Sequence, residues 1–96
     1  MERVSDVYRA IADPTRRQIL DYLVGHDDLT LFDICSRLAT AGNTSSRQAI
    51  SQHLAVLEEV GLVHSRREGR TKRHTIDTSP LGVISRRWPI NSNGAS

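Results

Sequence analysis

Val4, Val7, Tyr8 and Ile11 recur at i, i+3, i+4 and i+7, the apolar stripe of an amphipathic helix. ADPTRRQILDYLVG then resets the pattern. Asp13 is a good N-cap, Pro14 suits the first helical position and Gly25 suits the C-terminal cap. This second helix should bury Ile19, Leu20, Leu23 and Val24. Thr30 and Asp33 have capping-box spacing, with Asp in place of the usual Glu. Leu31, Ile34, Cys35 and Leu38 follow at helical spacing and predict a third helix. ATAGNTSS opposes helix continuation. A fourth helix is expected from Arg47 to Val60, with Ser46 as its N-cap and Gly61 as its stop.

After Gly61 the period changes. Residues 62–67 and 70–76 flank Glu68 and Gly69, a tight turn between two strands. From Thr78 onward, Ser79 and Pro80 can start one short helix in SPLGVISRRW, which Pro89 stops. NSNGAS reads as a frayed end. The expected fold is mainly α with a small β-hairpin, in the order α-α-α-α-β-β-α. It forms one domain over residues 1–88, with a flexible tail at 89–96.

Composition adds few constraints. A chain of 96 residues, 38% hydrophobic and 25% charged, suits one small globular domain with a modest core. Neither a transmembrane run nor a signal peptide is expected. A single cysteine cannot close an internal disulfide, so the expected compartment is the reducing cytoplasm. The net charge is only +2, but residues 1–45 hold seven acids and five bases, whereas residues 46–96 hold four acids and eight bases. The basic excess lies mostly at Arg66, Arg67, Arg70, Lys72 and Arg73. A strip of that kind fits either a polyanion footprint or a solvated face.

The fourth helix favours the first reading. On a wheel, Ile50, Leu54, Leu57 and Val60 fall on one side, with Ala49 and Val56 at its edge. Arg47, Gln48, Ser51 and Gln52 take the opposite arc near the N-terminus, and Glu58 and Glu59 are confined to the far end. A generic solvated face would mix its charges to form i, i+4 pairs. An arginine, two amides and a hydroxyl without an acid are instead the side chains that read base edges. The positive end of the helix dipole, at Ser46, favours phosphate. The third helix, turn and fourth helix thus form a helix-turn-helix, and the basic hairpin forms a wing behind it.

AIADPTRRQILDYL, SSRQAISQHLAVLEEVGLV and RREGRTKRHTID, in that order and at these separations, closely resemble the ArsR-type winged helix-turn-helix transcriptional repressors. The resemblance covers most of residues 3–88, including a PL…RRW end. It implies a homodimer on double-stranded operator DNA, with Arg47, Gln48, Ser51 and Gln52 at the recognition positions. Many members release DNA when an effector binds; a small-molecule effector is compatible with this chain, and its sequence identifies none. The turn ATAGNTSS is longer than usual for the family, and the paired cysteines of its metal-sensing members are missing.

Cys35 shares the apolar stripe of the third helix, so a small core residue is favoured over a redox or metal sensor. His26, His53, His64 and His74 lack a His or Cys partner at metal-ligand spacing. Neither a metal nor a cofactor site is expected. His53, at the inner edge of the fourth helix, should be packed and hydrogen-bonded. Tyr8, Tyr22, Phe32 and Trp88 are too scattered for a single-strand stacking platform. No catalytic motif points to an enzyme. The expected dimer surfaces are the stripe of the first helix (Val4, Val7, Tyr8 and Ile11) and Ile84 and Trp88 of the last, although the first stripe can also pack within one chain. The rival reading is a winged helix whose basic strip docks an acidic protein. Four side chains suited to base edges speak against it.

Overall fold

In the computed structural model, residues 3–26 and 28–82 are described. The elements are α1 (Arg3–Ile11), α2 (Pro14–Gly25), β1 (Leu29–Thr30), α3 (Leu31–Thr40), α4 (Arg47–Glu59), β2 (Val63–Glu68), β3 (Thr71–Ile76) and a 3-10 turn, Ser79–Leu81. Each of the last three helices begins at the cap its sequence supplies. The Asp13 carboxylate accepts the Arg16 amide at 3.0 Å, and the Ser46 hydroxyl accepts the Ala49 amide at 3.0 Å. Thr30 and Asp33 form a reciprocal capping box with both bonds at 3.1 Å.

Two helices end on left-handed glycines. At Gly42 (φ +89°), the Gly42 amide donates to the Ala39 carbonyl at 3.0 Å and the Asn43 amide to the Leu38 carbonyl at 2.8 Å. The same pair of bonds recurs around Gly61 (φ +82°), with Leu62 donating to Leu57 at 2.9 Å. This Schellman geometry satisfies helix-end carbonyls and needs a residue without a Cβ penalty. The C-terminus of α1 is closed differently, by side chains from α2. Arg16 donates from Nε to the Ala10 carbonyl at 2.7 Å and from Nη2 to the Arg9 carbonyl at 3.2 Å. Arg17 Nη1 reaches the carbonyls of Ile11 and Ala12 at 2.8 and 3.1 Å. Cations there also complement the negative end of the helix dipole.

Ile19, Leu23, Ile34, Leu38, Leu57, Leu62 and Val63, all 0% exposed, form the centre of the core. Ile50 and Leu54 extend it along α4, and Cys35 packs partly buried against it. One expectation needs correction and others gain detail. Val24 is 66% exposed, because the helical advance from buried Leu23 turns it away from the core. Val7 is 2% exposed and packs within the chain, the alternative left open for the first stripe; Tyr8 remains exposed and Ile11 packs half-buried against the core. The hairpin is also part of a three-stranded antiparallel sheet, ordered β1-β3-β2. Two residues are too short for a period-2 pattern; β1 exists because Leu29 and Thr30 pair with His74 and Arg73.

Buried His74 lies 3.0 Å by its Nδ1 from the Leu29 carbonyl. That carbonyl can only accept, which puts the ring proton on Nδ1 and strengthens the β1–β3 seam. Glu68 pairs with Thr71, so the hairpin loop is Gly69–Arg70, one residue later than expected. Gly69 has φ +66°, as the first position of a type II′ turn requires. The side chain of Val4, and Ile84 and Trp88 with the rest of the expected final helix, lie outside the described residues.

Candidate nucleic-acid interface

The turn before α4 is fixed to α2 by one side chain. Asn43 donates from Nδ2 to Thr15 Oγ1 at 3.1 Å and to Gln18 Oε1 at 3.0 Å, while its Oδ1 accepts the Ser45 amide at 2.9 Å. This is how the long ATAGNTSS segment acquires one geometry. Further along α4, His53 Nδ1 lies 3.1 Å from Arg16 Nη1. Arginine can only donate, so Nδ1 accepts and Nε2 carries the proton; Nε2 lies 3.9 Å from the Asp13 carboxylate. His53 is thus packed and hydrogen-bonded, as its place on the wheel suggested. Burial pushes the Asp13 pKa up. The hydrogen bond from the Arg16 amide, foremost, and the electrostatic pull of the neighbouring His53 ring and Arg16 guanidinium outweigh that effect and hold it below its usual value. Arg16 therefore joins the end of α1, the cap of α2 and the middle of α4.

With the helix held on these sides, Arg47, Gln48, Ser51 and Gln52 are all exposed, and none has a side-chain hydrogen bond or ion pair among the described residues. Ile50, Leu54 and Leu57 are buried on the other side. Ser46 is exposed as well, but its oxygen already caps the helix; its hydroxyl proton remains available to donate.

Strand parity divides the basic strip in two. Val63, Ser65 and Arg67 of β2 alternate with His64, Arg66 and Glu68, and the register places Arg67 opposite Lys72 and Arg66 opposite Arg73. Arg67 and Lys72 continue the face that meets α4, where Ser65 Oγ donates to Glu58 Oε1 at 3.2 Å. Arg66 and Arg73 occupy the reverse face and are neutralised there. Arg66 donates from Nη1 and Nη2 to the two carboxylate oxygens of Asp28 at 2.8 and 3.3 Å. Arg73 donates from Nε to Glu68 at 2.6 Å and from Nη1 to the Asp28 carbonyl at 3.0 Å. The Arg66 hydrogen bonds are the main cause of the lowered Asp28 pKa, and the same contact raises that of Arg66.

The five cations of the strip thus fall into two groups. Arg67, Arg70 and Lys72 are exposed and have no side-chain partner among the described residues, whereas Arg66 and Arg73 are committed to acids. Sequence reasoning missed Asp28, Asn43 and Arg16. Period-2 alternation separates Arg66 from Arg67, but only a known register says which of them meets α4. Among the described residues, no three His, Cys, Asp or Glu side chains converge as metal ligands. No helix there is long and apolar enough to cross a membrane.

A helix-turn-helix whose second helix exposes an acid-free N-terminal half beside a basic hairpin defines a winged helix-turn-helix, and comparisons with known proteins agree. A family model described as a helix-turn-helix domain matches residues 11–66. The uncharacterized HTH-type transcriptional regulator YuzN of Bacillus subtilis is 41% identical over 83 residues, covering 85% of this chain and 90% of the relative. The transcriptional repressor SdpR of the same organism is 34% identical over 88 residues, covering 92% of this chain and 90% of the relative. An ArsR-like transcriptional regulator from Rhodococcus sp. RHA1 superposes with a TM-score of 0.77 at 33% identity, covering 88% of this chain and 72% of that one. The chain belongs to the ArsR-type winged helix-turn-helix transcriptional regulators.

Proposed function

We propose that the protein is a homodimeric repressor that occludes a promoter by binding double-stranded operator DNA. Each α4 enters a major groove, where Arg47, Gln48, Ser51 and Gln52 meet base edges, and Arg67, Arg70 and Lys72 of the wing contact backbone phosphates. The observation that carries this reading is the uncommitted state of both sets. The side chains suited to base recognition have no partners among the described residues, and the free cations extend the sheet face that adjoins α4. The likeness to SdpR, a transcriptional repressor, supports repression as the outcome of binding.

Base readers and phosphate holders differ in a measurable way. Gln48→Ala should cost about 1–3 kcal/mol on a specific promoter fragment and much less on random DNA, which narrows discrimination. Lys72→Ala should weaken both DNAs alike and lower the salt slope by about one unit, because one phosphate no longer releases its counterions. Binding titrations over a salt series measure both. Full discrimination in the Gln48 variant would remove α4 as the reading element.

A further inference from the structure

Asp28 is the only non-glycine residue with a positive φ among the described residues, at +61°. A Cβ disfavours that conformation, though aspartate tolerates it better than most. Two arginines from different strands hold it. Arg66 of β2 grips the carboxylate with two hydrogen bonds at 2.8 and 3.3 Å, and Arg73 of β3 grips the carbonyl at 3.0 Å. Glu68 closes the cluster, 2.6 Å from Arg73 Nε and 3.8 Å from Arg66 Nη2. Two acids and two bases give no net charge.

The cluster lies where the wing needs support. One edge of β3 pairs with β2 throughout, but the other is covered only by Leu29 and Thr30 of β1, opposite His74 and Arg73, so the hairpin beyond Arg73 is a two-stranded ribbon, a form with little stability of its own. Asp28 adjoins β1 and, through α3, the helix-turn-helix unit. We propose that Asp28 is a positioning residue for DNA binding: through Arg66 and Arg73 it sets the angle of the wing, so that Arg67, Arg70 and Lys72 reach phosphates while α4 occupies the groove. This rests on the DNA-binding reading above, and it assigns Arg66 and Arg73 to the clamp, away from the DNA.

Charge alone predicts the opposite sign. If Asp28 merely restrained a DNA-contacting Arg66, neutralising it would release a cation, tighten binding and steepen the salt dependence. A positioning role predicts weaker binding and a shallower slope despite the added positive charge. The test is titration of a mixed-sequence DNA duplex over a salt series with wild type, Asp28→Asn, Arg66→Gln and the double variant. Asparagine tolerates the left-handed conformation, and Arg66→Gln breaks the same contact from an exposed strand, so the test does not depend on one variant folding.

Each single variant should bind about fivefold to tenfold more weakly, with a salt slope lower by about one to two units, and the double variant should be no worse than either. Amide hydrogen exchange at residues 67–72 of folded Asp28→Asn should also accelerate, a readout that needs no DNA. Equal or tighter binding by Asp28→Asn, additive losses, or unchanged amide protection would each overturn the proposal. Wild-type protein without affinity for the duplex would overturn the DNA-binding reading, and the positioning role with it, before any variant is compared.

Discussion

The Asp77 carboxylate accepts the Ser79 amide at 2.9 Å and lies 2.7 Å from His64 Nε2. These contacts, the Ser79 amide foremost, lower its pKa from 3.8 to about 2. The native chain therefore binds this proton more weakly than the unfolded chain. Its contribution to stability is fully present above pH 3.8 and is lost as pH falls toward about 2. Thermal melts of wild type and Asp77→Asn should differ at neutral pH and converge over that acid range; a constant gap would show that the contacts carry no proton linkage. Cys35 makes the contrasting case. It is a free thiol packed half-buried against the core. Cys35→Ser should cost about 1 kcal/mol, because a hydroxyl is harder to bury than a thiol. The DNA affinity of the folded fraction should be unchanged and insensitive to zinc or mild oxidant. A metal or redox response that vanished in this variant would make Cys35 a sensor.

Helices α2, α3 and α4 are legible in the sequence because their signals are local. Asp13, Thr30 and Ser46 start them, and Gly42 and Gly61 close the last two, with each cap and its bond separated by only a few residues. The exposed polar face of α4 was readable for the same reason, since a wheel needs only helical geometry. What escaped the sequence depends on distant partners: β1 on pairing with β3, the left-handed Asp28 on Arg66 and Arg73, and the buried His74 on the Leu29 carbonyl. The turn into α4 belongs with these, because Asn43 bonds to Thr15 and Gln18, 28 and 25 residues away. Asn43→Ala removes all three side-chain hydrogen bonds of this residue. It should lower stability by about 1–3 kcal/mol, read as a fall in the urea midpoint at unchanged m. A midpoint equal to wild type would mean that the glycine-ended turn alone sets the angle between α3 and α4.

A single chain offers DNA a short reading surface. Helix α4 has 13 residues, a length of about 20 Å, and the side chains proposed to read bases lie within the stretch Arg47 to Gln52. Such a surface addresses only a few base pairs, while each mismatch costs about 1–3 kcal/mol and a genome offers on the order of a million or more competing sites. Two copies related by a two-fold axis double the contacts without new chemistry and require a palindromic site. Exposed Tyr8 and half-buried Ile11 leave part of α1 for that contact, whereas Val7 does not. Sedimentation at micromolar concentration should therefore show a dimer. Footprinting on the protein's own promoter region should reveal an imperfect palindrome with half-sites about 34–36 Å apart, or a multiple of that spacing. A monomer protecting one asymmetric site would leave recognition to a single α4 and wing, and homodimeric repression would have to be abandoned.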